Sequence, residues 1–176
     1  MAGGAEVRDL RILLVGGKGH PVQVLRQLLG IAGVRDFRHA EEREAAIDLL
    51  CAEPFDAVFC DDSIDGDGGR AFVHAARRTQ GLIAPMMPIF LVAARPRRRD
   101  IEAARDRGFT DVIGRPVSAS TVVRKLREAV AHPRSFIAAA DFFGPDRRSP
   151  ARARAIPHDR RRHQPQRIAV AIETGD

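Results

Sequence analysis

Asp61 is the residue around which chemistry could be arranged. It closes the apolar run Ala57-Val58-Phe59-Cys60 and opens an acidic, glycine-rich stretch, Asp62-Ser63-Ile64-Asp65-Gly66-Asp67-Gly68-Gly69. An apolar run without alternation predicts a strand covered on both faces, and in open α/β sheets the chemistry collects at the carboxyl ends of such strands. The spacing Asp61-x-Ser63-x-Asp65-Gly66 matches the first half of a calcium loop. Its twelfth position is Phe72, however, where a bidentate Glu is required, and a strand rather than a helix precedes it. Asp62, Asp65 and Asp67 therefore read as solvated turn formers, and no metal is expected. Asp61, Ser63 and Asp65 remain as the weak alternative ligand set, with Asp65 or Asp67 swinging inward.

Two other clusters could bind charge. Gly16-Gly17-Lys18-Gly19 follows an apolar run and precedes a helical pattern, as a phosphate cradle would, yet it is neither G-x-G-x-x-G nor a loop ending G-K-[ST]. A plain tight turn is the simpler reading, with His20 a capping or surface residue. Arg95, Arg97, Arg98 and Arg99, interrupted by Pro96, lead into a helix. Cations are unfavourable at a helix N-terminus, so this cluster marks either a solvated face or a face for an acidic partner.

The elements that must position these residues alternate. Short apolar strands are expected at Arg11 to Val15, Val34 to His39, Ala57 to Asp61, Ile89 to Val92 and Asp111 to Gly114. Helical spacing follows each: from Pro21 to Gly30 or Gly33, Glu41 to Ala52, Gly69 to Thr79, Asp100 to Arg107 before Gly108, and Ala119 to Ala131 capped by Ser118. Gly81 to Met87 is a connector. Five strand–helix units in alternation imply a parallel sheet with helices on both faces.

Composition narrows the rest. The chain has 176 residues, enough for one domain and an extension, with 44% hydrophobic residues and no Trp or Tyr, so stacking platforms for bases are scarce. Cys51 and Cys60 lie in apolar segments without C-x-x-C spacing and read as reduced core residues. No signal-peptide pattern or membrane span is present, so a cytoplasmic protein without membrane contact is expected. The net charge is +6 and the pI is near 10.7, but much of the excess is local. From His132 onward nine arginines face five acids, and five of the eleven prolines fall there. This predicts a basic, largely irregular extension over 132–176. Its candidates for order are Phe136-Ile137 with Phe142-Phe143, docking on the domain, and Ile168 to Ile172 as an edge strand. Arg160-Arg161-Arg162 could touch nucleic acid, but without a recognition motif this would be non-specific and salt-sensitive, and nucleic acid is not the expected partner.

Taken in blocks, RILLVGG, DAVFCDDSIDGDGG, PIFLVAA and GFTDVIGRP resemble the first, third, fourth and fifth strands of a response-regulator receiver domain (CheY-like), the phosphoacceptor module of bacterial two-component signalling. The resemblance covers 9–131, with 1–8 as an N-terminal tail; the phrase SFIAAADFFGPDRR is a looser match to extensions of some single-domain receivers. It implies a flavodoxin-like (βα)5 three-layer sandwich with a five-stranded parallel sheet. It also implies that Asp61 is the phosphoacceptor position, with Gly16 and Gly17 where the family has an acidic pair for magnesium. Ala93 replaces the hydroxyl residue that ends the fourth strand, Val112 the aromatic switch, and Arg115 the lysine before proline.

These departures have physical consequences. Magnesium takes near-octahedral oxygen coordination, with one or two protein carboxylates. Asp61 and the Ser63 carbonyl alone would hold it poorly. Arg115 could instead neutralise Asp61 directly through a charge-assisted contact. Ala93 and Val112 also lack the contacts through which phosphorylation shifts a conformational equilibrium. The expectation is a non-enzymatic pseudo-receiver acting by protein–protein contact, with phosphorylation at Asp61 weak or lost and no cofactor. Its partner would be a histidine kinase, a phosphotransferase or an output protein, or a second copy in a homodimer. Two alternatives stand beside it: a phosphorylatable single-domain regulator using magnesium, and a nucleic-acid-associated protein acting through its tail.

Overall fold

The computed structural model describes residues 7–139, 142–146 and 166–168. Five strands, β1 (Arg11–Val15), β2 (Asp36–Ala40), β3 (Ala57–Asp61), β4 (Ile89–Ala94) and β5 (Asp111–Arg115), form one sheet in the order β2-β1-β3-β4-β5. All four pairings are parallel. The helices are α1 (His20–Ile31), α2 (Arg43–Ala52), α3 (Arg70–Arg78), α4 (Arg98–Arg107) and α5 (Ala119–Ala131). This is the parallel sheet between helical layers expected from the alternating pattern, with the flavodoxin-like topology that the resemblance implied.

Side chains leave successive strand positions on opposite faces, which divides the core in two. Leu13, Val15, Val58, Cys60 and Leu91 pack with α2, α3 and α4 residues such as Leu50, Phe72, Val73 and Ala104. Ile12, Leu14, Phe59, Phe90 and Ile113 pack with Val22, Leu25 and Leu29 of α1 and with Val122 and Leu126 of α5. Every residue of β3 is buried, as its unbroken apolar run required. Phe59 and Phe90 stack across the ladder with ring centroids 4.9 Å apart.

Several boundaries differ from the expected ones for local reasons. Val34 belongs to the turn that ends α1: its N–H donates to the Leu29 carbonyl at 3.1 Å, so β2 starts two residues later. α4 begins at Arg98 rather than Asp100, because Asp100 accepts the Arg97 N–H at 2.8 Å and acts from inside the first turn. Ser118 does cap α5, accepting the Thr121 N–H at 3.3 Å. Packing also begins before residue 9, since Val7 is buried in the α1/α5 core.

The described residues of the extension form three short strands. β6 (Phe136–Ala139) and β7 (Phe142–Pro145) form an antiparallel hairpin, and β8 (Gln166–Ile168) pairs with β6 in a separate three-stranded sheet. Phe136 is buried and its ring lies 5.4 Å from that of Phe143. The hairpin seats closely: a Cβ on Gly144 would stand 3.1 Å from the Gly108 Cα at the end of α4. Beneath it lies Arg77, whose guanidinium is 5.0 Å from the Phe136 ring. Arg77 donates to the carbonyls of Gly108 (3.2 Å), Pro85 (2.8 Å) and Met87 (2.8 Å). Burial lowers its pKa to about 9, which leaves it charged at neutral pH. Of the expected edge strand from Ile168 to Ile172, Ile168 pairs with β6 in this small sheet; 169–172 lie outside the described residues, as do Arg160, Arg161 and Arg162. Among the described residues no helix is long and apolar enough to cross a membrane.

Candidate functional site

Parity brings the site together. Asp61 is two residues beyond Phe59 on β3, and Arg115 two beyond Ile113 on β5, so both side chains leave the sheet on the α1/α5 face at its carboxyl end. Asp61 is 4% exposed. Arg115 Nη1 lies 3.3 Å from its Oδ2. The other oxygen, Oδ1, accepts the Ser63 N–H at 2.9 Å and the Ser63 hydroxyl. Each carboxylate oxygen therefore has a donor supplied by the chain.

Asp62 completes the arrangement. Its Oδ1 accepts from Arg115 Nη2 and its Oδ2 from the Ala94 N–H at 2.9 Å. One guanidinium thus spans two adjacent carboxylates, and through Asp62 the end of β4 is tied to β3 and β5. Arg115 Nε is buried without an acceptor. The sequence pattern placed Asp62 among solvated turn acids; in the fold it is partly buried and paired. No local signal marks it, because its partner is 53 residues away.

The remaining loop acids are committed elsewhere. Asp67 accepts the N–H groups of Arg70 (2.9 Å) and Ala71 (2.8 Å) and caps α3. Asp65 adopts a left-handed backbone, φ +56°, and lies 3.8 Å from Arg43. Burial raises the Asp65 pKa, with Arg43 opposing the shift. Neither acid turns toward Asp61. Phe72, the twelfth position of the calcium pattern, is in the core.

Gly16 is pressed against the site. Its φ is +149°, and a Cβ there would stand 2.8 Å from the Asp61 Cβ and 3.1 Å from a Val22 methyl. A side chain at this position requires the backbone to shift. Gly17 has open space instead. Ala93 and Val112, by contrast, are buried in the α2/α3/α4 core on the other face of the sheet. Arg95, Arg97, Arg98 and Arg99 are all exposed on the loop after β4 and the start of α4. The cost of cations there is offset locally, since Arg98 pairs with Glu102 at 3.0 Å and Arg99 lies 3.7 Å from Asp100.

The family model described as "Response regulator receiver domain" matches residues 12–127. This chain belongs to the response-regulator receiver family. Solved receivers share its fold. A response regulator from Chloroflexus aurantiacus is 21% identical with a TM-score of 0.61, covering 70% of this chain and 99% of that one. The receiver domain of a sensor histidine kinase from Pseudomonas aeruginosa, which has magnesium coordinated in its active site cleft, is 20% identical with a TM-score of 0.60, covering 69% and 98%. The receiver domain of a Francisella response regulator is 14% identical with a TM-score of 0.60, covering 71% and 99%.

The receiver site in this chain offers few side-chain oxygens to a magnesium ion. Asp61 has both oxygens engaged, Gly16 and Gly17 contribute no side-chain oxygen, and the Arg115 guanidinium lies against one oxygen of Asp61. Among the described residues no group of three or more His, Cys, Asp or Glu side chains is placed to hold a metal.

Proposed function

We propose that this receiver is a pseudo-receiver, a two-component signalling module that works by contact with a protein partner while phosphotransfer at Asp61 is weak or lost. The observation carrying this reading is the double engagement of Asp61. Ser63 takes one oxygen and Arg115 the other, so the acceptor is occupied by the chain's own cation. An incoming phosphoryl group would have to displace Arg115 from Asp61 without a divalent ion to neutralise its oxygens. The readout is weakened as well, since Ala93 has no hydroxyl, Val112 has no ring, and both are packed into the core.

The exposed arginines at 95, 97, 98 and 99 supply a face for an acidic surface on that partner, whether a kinase, a phosphotransferase, an output protein or a second copy. Two measurements test the proposal. Mass spectrometry after incubation with acetyl phosphate and magnesium should find Asp61 unmodified; robust aspartyl phosphate there would overturn it. Replacing the four arginines by Ala should leave stability nearly unchanged and reduce capture of a kinase or output partner.

A second reading, a phosphorylatable regulator, is favoured by the retention of Asp61 at the end of β3 and by the magnesium-bound Pseudomonas relative. It requires Arg115 to release Asp61 when magnesium arrives. A magnesium titration followed at the Asp61 and Ser63 amides separates the two, because the pseudo-receiver leaves those signals unmoved.

A further inference from the structure

The glycine-rich turn after β1 borders a cleft at the sheet edge on the α1 side. The cleft has a volume of about 210 Å³ and is lined by Leu14, Lys18, Val22, Gln23, Arg26 and His39. Leu14 and Val22 are buried and form an apolar floor. The polar residues come from three separately positioned segments: Lys18 from the turn, Gln23 and Arg26 from one face of α1 at i,i+3 spacing, and His39 from the edge strand β2.

No acid lines this cleft, and its cations are weakly committed. Arg26 is exposed and lies over the Phe37 ring, 6.0 Å from its centroid. Lys18 is 81% exposed and paired with Glu41 at 3.2 Å, a surface pair that is released at little cost. His39 Nε2 lies 2.8 Å from the Gly16 carbonyl, which can only accept, so the proton is on Nε2 and Nδ1 is left uncommitted. α1 starts at Gly19 without a side-chain cap, so the first N–H groups of the helix add a positive end beside Lys18.

We propose that this cleft binds a small organic anion, with phosphate or carboxylate oxygens held by Lys18 and Arg26 and an apolar body resting on Leu14 and Val22. The size of the cleft and the lack of an aromatic ring in its lining disfavour a nucleotide. The site does not depend on how Asp61 is read, but it lies next to it. His39 holds the Gly16 carbonyl, and the backbone at Gly16 leans on the Asp61 side chain. A ligand drawing on His39 would therefore be felt at Asp61 without any phosphotransfer.

The test is an amide-shift titration of the ¹⁵N-labelled full chain with inorganic phosphate, phenyl phosphate and benzoate at constant ionic strength. Saturable shifts are expected at Gly16, Lys18, Gln23 and His39, with phenyl phosphate or benzoate binding more tightly than inorganic phosphate. Whichever of the two saturates first identifies the head group. Arg26→Ala and Gln23→Glu, both on the exposed face of α1, should each weaken binding about tenfold, the scale of one lost or opposed charge-assisted contact. Shifts that do not saturate, that spread equally over 95–99, or that persist unchanged in both variants would overturn the proposal.

Discussion

Replacing Arg115 by Met removes the cation that faces Asp61 while keeping most of the side-chain stem. Asp61, at 4% exposure, would retain only the Ser63 N–H and hydroxyl. At the observed 3.3 Å and an effective dielectric of about 20, the charges attract by about 5 kcal/mol, most of which offsets the cost of desolvating them. Arg115 keeps 26% of its side chain in solvent, which screens the pair further, so Arg115→Met should destabilise the fold by about 2–3 kcal/mol. Asp61→Asn should cost less, about 1–2 kcal/mol, because the amide oxygen can still accept from Ser63 and Asp62 still holds Arg115. The double variant should then lose less than the sum, leaving a coupling of about 1–2 kcal/mol in a urea-denaturation cycle. Additivity within about 0.5 kcal/mol would refute the reasoning and leave Asp62 as the only energetic partner of Arg115.

Further consequences follow from neighbouring geometry. Gly16→Asp should destabilise by more than about 2 kcal/mol, since its Cβ meets Asp61, whereas Gly17→Asp should stay within about 0.5 kcal/mol; chemical denaturation compares them. Burial pushes Asp111 up, but hydrogen bonds from Lys125 and Arg105 outweigh it and hold the carboxyl below the usual carboxylate range. Its native form therefore binds fewer protons than the unfolded chain, and its stabilisation is present above about pH 4 and lost as pH falls below that. Asp111→Asn should flatten this acid slope in thermal melts and cost about 1–3 kcal/mol at neutral pH. Phe136→Ala should cost about 3–4 kcal/mol, as removal of a buried aromatic that also covers Arg77; a cost under about 1 kcal/mol would show that the hairpin does not stabilise the domain.

Much of the frame was legible because its causes are local. Strands buried on both faces are unalternating apolar runs, helices show apolar residues at helical spacing, and Gly108 and Ser118 mark ends by their own backbone and side-chain chemistry. Asp61 was legible for the same reason, as a carboxylate ending an unbroken apolar run. The acidic loop was not. Asp62, Asp65 and Asp67 carry one side-chain chemistry within six residues, and nothing local separates a partner of Arg115 from a neighbour of Arg43 or a cap on α3. Arg77 was missed because a charged residue on a helix reads as solvated unless something is known to cover it, and the hairpin that covers it comes from a tail whose composition predicts irregular chain.

The sequence by itself determined the order of strands and helices and the place of Asp61 at the end of a buried strand, because each follows from periodicity and turn chemistry within a few residues, and its blocks carried the resemblance to the family. Only the tertiary structure decided which cation meets which carboxylate. Arg115 reaches Asp61 and Asp62 because β4 separates β5 from β3 and strand parity puts Asp61 and Arg115 on one face. Gly16 excludes a side chain because β1 sets its backbone against Asp61. Those are facts of register and crossing, which no window of local sequence contains.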